Sequence, residues 1–291
     1  MVEGIIVRGV GGFYYVNTDD GIIECRARGL FREENQTPLV GDKVRIRLNP
    51  EDGSGYIEEI LPRKNQLIRP PVANITQAII VMSIKDPILN PWLLDRLLVM
   101  VEKEKIKVTI CINKSELKTK EADKIVNIYR DAGYNIIRTS AETGEGIELL
   151  RNELRDNISI FAGPSGVGKS SLLNKIDKNL FIETGKISKK TRRGKHTTRH
   201  VELFKLDDDS FVLDSPGFGS LNLDFLEDES QLRGYFKEIN KYGKECKFVS
   251  CLHVNEPGCE VKRLVEDGII NGERYKNYLN FLEELKNIRR Y

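Results

Sequence analysis

The residues best suited to chemistry lie at Gly163-Pro164-Ser165-Gly166-Val167-Gly168-Lys169-Ser170, in the spacing G-x-x-x-x-G-K-S. They follow the apolar run Ile158-Ser159-Ile160-Phe161-Ala162 and precede Ser171-Leu172-Leu173. Strand, glycine loop and helix in that order make a phosphate cradle. The glycines let backbone N–H groups turn inward, and the positive end of the following helix faces the same anion. Lys169 can reach the terminal phosphates, and the Ser170 hydroxyl is placed for Mg²⁺. Ser171, next on the helix, is counted with the loop as nucleotide-binding. The pattern implies a nucleoside triphosphate ligand.

Three further groups offer matching chemistry. Asp214-x-x-Gly217 follows an apolar strand and supplies a carboxylate for a magnesium shell and a glycine N–H for a γ-phosphate. Asn113-Lys114-x-Glu116 resembles the guanine-specificity motif of GTPases, in which a carboxylate accepts from guanine N1 and N2 and the lysine stem covers the ring. Taken by itself, it reads equally well as a strand-to-helix turn. Ser140-Ala141 resembles the motif whose backbone N–H contacts guanine O6. Separately, Cys246-x4-Cys251-x-His253-x5-Cys259 sets three thiols and an imidazole at short spacing. Such a Cys₃His set suits tetrahedral Zn²⁺, and four protein ligands describe a closed, structural site. Cys25 and Cys111 fall in strand patterns and read as core residues.

Elements able to position these groups are visible in the hydrophobic pattern. Residues 1–70 read as short strands, Gly4–Val10, Phe13–Asn17, Ile22–Ala27, Lys43–Leu48 and Tyr56–Ile60, separated by turn residues. A small five-stranded barrel closes such strands without free edges. Arg26, Arg28, Arg32, Lys43, Arg45 and Arg47 recur there with Phe13, Tyr14, Tyr15 and Phe31. That surface is open to two readings, RNA binding or an ordinary solvated face. Arg63–Ile75 reads as a connection. Beyond it strands and helices alternate: strands at Gln77–Ser83, Val108–Ile112, Asn135–Thr139, Val201–Leu206 and Phe211–Leu213, helices at Trp92–Lys103, Thr119–Ala132 and Glu148–Leu154. A doubly wound α/β domain over 71–221 follows, with its ligand at the strand carboxyl ends. Residues 222–291 read as mainly helical, over Phe225–Asn240 and Gly272–Arg290, around the cysteine loop.

Order is the diagnostic feature, because the guanine motifs precede the phosphate loop. An ordinary GTPase has them after it, and a circular permutation keeps the site while changing the order. On GPSGVGKSSL, RRGKHTTRHVELF, LDSPGFG and the cysteine cluster, the chain resembles the ribosome small-subunit-dependent, circularly permuted GTPases (the RsgA, YjeQ or YloQ family) over essentially its full length. The resemblance implies a multidomain chain: OB-fold barrel, permuted P-loop GTPase, zinc-binding helical domain. It further implies GTP hydrolysis with Mg²⁺, one structural Zn²⁺, and the small ribosomal subunit with its rRNA as partner. His196 is the implied catalytic group beside Lys169, with Thr197 or Thr198 as a second Mg²⁺ hydroxyl.

Two positions depart from the general pattern. Glu116 stands where the guanine motif has aspartate, so its extra methylene could loosen guanine preference. Gly166 stands where potassium-dependent GTPases carry asparagine, so no K⁺ requirement is expected. Phe218, after Asp-x-x-Gly, cannot orient water by hydrogen bonding, so slow intrinsic hydrolysis is expected. Lys186, Lys189, Lys190, Arg192, Arg193, Lys195 and Arg199 crowd the switch segment around His196, as a solvated run or an RNA-facing switch.

Composition narrows the field. With 46 basic and 44 acidic side chains in 291 residues, the net charge of +2 excludes a globally basic nucleic-acid binder, so any such surface is local. No apolar run reaches membrane-spanning length, and the amino terminus has no basic-then-apolar leader, so a cytoplasmic monomer is the expectation. Two other readings stay open: a regulatory GTPase of another process with protein partners, and a non-enzymatic RNA-binding factor that uses nucleotide only as a switch.

Overall fold

The computed structural model describes residues 1–29, 31, 36–68, 70–178, 180, 201–207, 209–214, 223, 225–226 and 228–288. The chain divides into two compact units. One comprises Met1–Ile79, Ile147–Ala162 and Lys169–Gly219; the other comprises Ile80–Gly146, Gly163–Gly168 and Ser220–Tyr291.

The first unit opens with β1 (Val2–Val10), β2 (Phe13–Thr18), β3 (Gly21–Ala27), β4 (Lys43–Leu48) and β5 (Gly55–Ile60). Antiparallel pairs β1–β2, β2–β3, β4–β5 and β1–β4, with the parallel pair β3–β5, close the expected five-stranded barrel. Its interior is filled by Ile6, Val16, Val44, Ile46 and Ile57, all fully buried. Strand alternation explains why the arginines of the same strands point outward. Arg45 holds Glu3 and Glu59, Arg47 holds Glu58 together with Arg28 just past β3, and Arg26 lies over the Phe13 ring.

The register of β1 against β2 shifts between Ile6 and Arg8, a bulge past which Arg8–Val10 stay paired with β2. Past the bulge, Arg8 pairs with Glu202 of β12 (Glu202–Lys205). β12 is antiparallel to β13 (Phe211–Asp214), which runs parallel to β11 (Ile158–Ala162). The connection after the barrel is ordered rather than loose. Arg63 grips the buried Asp42 through Nε and Nη2, both at 2.7 Å, and short strands β6 (Gln66–Leu67) and β7 (Val72–Ala73) pair beyond it.

In the second unit the parallel strands β9 (Lys107–Asn113) and β10 (Asn135–Arg138) lie beside the end of β8 (Gln77–Ser83). Helix α1 (Pro91–Lys103) begins as the sequence predicts: Pro91 sits in the first turn, and the Asn90 side chain accepts from Leu93 N at 3.2 Å. Thr119 caps α2 (Lys120–Asp131) in the same way. In the first unit, α3 (Ile147–Leu154) precedes β11, and α4 (Lys169–Ile176) starts at the end of the glycine loop.

The carboxy-terminal segment belongs with α1. Val99 packs in one core with Leu232, Phe236, Ile239, Tyr278 and Phe281. Beside this core, the fully buried Arg274 pairs with Asp95 of α1 and with Glu238, and Asn277 donates to the same Asp95 at 2.7 Å. The continuous helix expected over Phe225–Asn240 is interrupted. A 3-10 helix covers Glu229–Tyr235, capped by Asp228, and α5 spans Lys237–Tyr242. Between them Phe236 is extended (φ −105°, ψ 105°), which sinks its ring against Tyr278 and Phe281. Packing overrides helical periodicity there. The sequence reading missed α6 (Glu260–Glu266), although Val261, Leu264 and Val265 are spaced for it; α7 (Gly272–Ile288) is as expected.

Candidate nucleotide site and metal centre

The candidate base-binding residues converge on Asn113. Its position at the end of β9 buries it, and Lys114 follows in the left-handed region (φ 60°), which turns the chain sharply. The Asn113 amide Nδ2 donates to Val167 O at 2.8 Å, and Oδ1 accepts from Ala141 N at 3.2 Å and Thr139 Oγ1 at 3.4 Å. One side chain therefore joins the glycine loop to the Ser140-Ala141 turn. That turn is itself closed by Ser140: its N–H donates to Glu145 O at 2.9 Å, and its hydroxyl accepts from Thr143 N at 2.9 Å. Glu145 reaches across to accept from the Ser115 hydroxyl at 2.8 Å, so both turns share one brace. No local pattern marks Glu145, because its partner lies 30 residues away.

Lys114 Nζ donates to Asp86 O, which stretches its stem along the turn. Glu116 Oε2 is screened from solvent and has no hydrogen-bond partner among the described residues. A carboxylate oxygen in that condition is costly unless a donor arrives. The N1–H and N2–H of guanine are donors of the required kind.

The phosphate side is a turn that only glycine can make at two points. Gly163 has φ +141°, and a Cβ there would lie 2.1 Å from Val81 O. Gly168 has φ +96°, and a Cβ there would lie 2.3 Å from Asn113 Nδ2. Pro164, Ser165 and Gly166 form the crest, while Val167 is fully buried as the anchor. Lys169, Ser170 and Ser171 form the first turn of α4, directly after the loop. Asp214 ends β13, whose partner β11 leads into the loop, so the two strand ends lie side by side. His196, Thr197, Thr198, Gly217 and Phe218, with the basic run from Lys186 to Arg199, lie outside the described residues.

The ligand atoms of Cys246, Cys251, His253 and Cys259 all lie within 4.8 Å of one another. Cys246 Sγ and Cys259 Sγ are 3.9 Å apart, close to the edge of about 3.8 Å that a tetrahedron with Zn–S bonds of about 2.3 Å requires. His253 turns Nδ1 toward the thiols, at 3.5 Å from Cys246 Sγ and 3.4 Å from Cys259 Sγ. Burial holds this imidazole below its usual pKa, which favours the neutral, ligating form. Burial also pushes the Cys251 thiol up to about 12, so its thiolate needs a cation to offset it. The donor set fits one metal ion.

A second layer holds the loop in shape. Tyr275 and Tyr278 donate to the carbonyls of His253 and Leu252 at 2.6 and 2.8 Å. Arg233 donates to those of Val249 and Cys251 at 2.7 and 3.0 Å, and Glu256 accepts from the N–H groups of Leu252, Val254 and Asn255. Cys25 and Cys111 are core residues as expected; burial pushes their thiols up to about 11 and about 12.

Comparison with known proteins gives this geometry a lineage. The RsgA GTPase family matches residues 60–252, and the RsgA N-terminal domain matches residues 3–57. The small ribosomal subunit biogenesis GTPase RsgA of Caldanaerobacter subterraneus subsp. tengcongensis is 54% identical, over 98% of this chain and 96% of that protein. The protein of the same name from Alkaliphilus metalliredigens is 46% identical over 100% of both chains. Among solved structures, YloQ, described as a circularly permuted GTPase, is 38% identical with a TM-score of 0.83, covering 99% of this chain and 96% of that one. YjeQ from Thermotoga maritima is 38% identical with a TM-score of 0.84, covering 98% of each. With family models matching residues 60–252 and 3–57, and likeness running from end to end, the chain belongs to the RsgA GTPase family.

Proposed function

We propose that this chain hydrolyses GTP in the biogenesis of the small ribosomal subunit, and that contact with the subunit stimulates turnover and leads to release as GDP. The observation that carries the reading is Asn113. Its bridge from Val167 to Ala141 couples the phosphate loop to a pocket with an unpaired acceptor at Glu116, in a chain alike throughout to relatives of that function. Guanine lies between the Lys114 stem and the Ser140-Ala141 turn. The phosphates take the N–H groups of Gly163–Gly168 and the Lys169 ammonium, with Ser171 beside them. Ser170, Asp214 and one hydroxyl of Thr197 or Thr198 would hold Mg²⁺, and the Gly217 N–H would meet the γ-phosphate.

When bound, Mg²⁺ offsets charge on the β- and γ-phosphates. His196 holds the attacking water, a task that Phe218 cannot perform. Zinc is the ion of the Cys₃His set, where it keeps a loop of little apolar content folded. The working division is barrel 1–70, GTPase 71–221 and zinc domain 222–291, in a cytoplasmic monomer that grips rRNA. No helix among the described residues is long and apolar enough to cross a membrane.

The test compares GTP turnover with and without purified small subunits. Stimulation by small subunits and none by large ones is expected. Equal turnover in both conditions would reject the proposal.

A further inference from the structure

One rung of the sheet runs from the barrel to the phosphate side of the candidate site. Cross-strand register makes Tyr15 of β2 the partner of Arg8, Arg8 the partner of Glu202, and Glu202 the partner of Asp214. Four neighbouring strands of one compact unit thus carry positions 15, 8, 202 and 214 in a single row. Directly opposite positions of an antiparallel pair share one face, with Cβ atoms about 5 Å apart.

Charge follows this row. The Arg8 guanidinium lies over the Tyr15 ring at 4.0 Å, and its Nη1 is 3.6 Å from Glu202 Oε1. Tyr15 is itself fixed, because its hydroxyl donates to Glu24 at 3.0 Å. The Arg8 and Glu202 side chains are 39% and 37% exposed, and Arg8 Nε has no hydrogen-bond partner among the described residues. An ion pair so exposed adds little to stability and is open to competition from solution. Its position gives it a different use. Glu202 opens β12 opposite the residue expected to serve Mg²⁺. Alone, it adds a second negative charge to that neighbourhood; paired with Arg8, it adds almost none.

We propose that Glu202 is a positioning residue of the Mg²⁺ site, acting beside Asp214, and that Arg8 of the barrel sets its strength by neutralising it. An anion that draws Arg8 away leaves Glu202 unopposed and tightens the hold on Mg²⁺. Coupling of this kind is reciprocal, so bound Mg²⁺ frees Arg8 for that anion. The proposal deepens the reading of Asp214 as the magnesium carboxylate, and it rests on that reading.

The test uses the full-length protein and reads the Mg²⁺ concentration that half-maximally slows release of a fluorescent GDP, without turnover. One unit charge at this range shifts the affinity of a cation roughly 3- to 10-fold. Glu202→Gln should raise the half-maximal Mg²⁺ within that range, and Arg8→Gln should lower it. The double variant should return close to the wild type, because both carry no net charge on the rung. Arg8→Lys keeps the charge and should leave the Mg²⁺ requirement unchanged. Without Mg²⁺ the GDP anion feels the opposite sign, so Glu202→Gln should not weaken its binding. A role in packing alone moves both singles the same way, and the double at least as far.

Single variants that shift together, or a double variant no nearer the wild type than either single, would overturn the proposal. Asp214→Asn tests the reading beneath it. An unchanged Mg²⁺ requirement in that variant would overturn the assignment of Asp214. A steep rise there, beside Arg8 and Glu202 variants that do not move, would overturn the proposal alone.

Discussion

Asn113 Nδ2 stands 2.8 Å from Val167 O, so the residue that opens the Asn113-Lys114-x-Glu116 turn also holds the glycine loop from behind. The two halves of the nucleotide pocket therefore share a buried hydrogen-bonded centre in which every polar atom of one side chain is used. Replacing it by alanine leaves Val167 O and Ala141 N without partners. At about 2 kcal/mol for the unsatisfied groups, Asn113→Ala should weaken GDP binding roughly 30-fold. Isothermal titration checks this, and an unchanged affinity would show that the bridge is incidental.

Glu116 should set the choice of base through its unpaired Oε2. Inosine lacks the exocyclic N2 amine of guanine, so the wild type should prefer GDP to IDP. Glu116→Gln replaces an acceptor oxygen by a donor and removes the charge, and should bring that preference close to unity, a loss of about 1.5–3 kcal/mol for a charge-assisted bond. Competition against a fluorescent guanine nucleotide measures both ratios. A variant that still prefers GDP strongly would assign base selection to another group.

Removal of the metal should melt the carboxy-terminal loop first. Cys251, His253 and Cys259 are buried and Cys246 half-buried, and Cys251 is a thiol pushed up to about 12 by burial, so metal binding must expel protons. Retention of the ion should therefore fall as pH falls, and a chelator should release one metal per chain at mildly acidic pH sooner than at neutral pH. Metal analysis after dialysis, read beside thermal melting, checks this. Cys251→Ser should lower both metal content and Tm.

The Asp95–Arg274–Glu238 cluster should leave a pH signature. Burial pushes the Asp95 carboxyl up to about 6, against the opposing pull of Arg274 and the Asn277 amide. A carboxyl with a raised folded pKa binds more protons when folded than when unfolded. Its contribution to stability therefore falls as pH rises from about 4 to about 6, by on the order of 3 kcal/mol at most. Asp95→Asn lacks this loss and should gain on the wild type across that window in urea melts. Arg274→Met should cost about 3–5 kcal/mol, because it strands two buried carboxylates.

The sequence was most readable where local chemistry decides structure. Turn residues between short alternating strands were enough for the barrel, and Pro91 after Asn90 was enough for the start of α1. The phosphate loop was legible because Gly163 and Gly168 hold backbone conformations and close approaches that no other residue tolerates. What stayed hidden depends on distant partners. The grip of Arg63 on Asp42 spans 21 positions and the brace from Glu145 to Ser115 spans 30, so neither has a local signature. Phe236 shows the converse failure: a good helical pattern yields because one ring is buried better from an extended backbone.

The bulge in β1 makes one strand serve two masters. Before Ile6 it seals the barrel against β4; at Arg8 it gives β12 a neighbour while still paired with β2. The barrel is thus no detachable appendage. A truncated chain that begins after the barrel would bare a strip of unpaired main chain along β12, the kind of edge that recruits other strands and ends in aggregates. Genetic deletion of the barrel would then report on solubility as much as on ribosome contact, and point substitutions on its outer face are the cleaner way to separate the two.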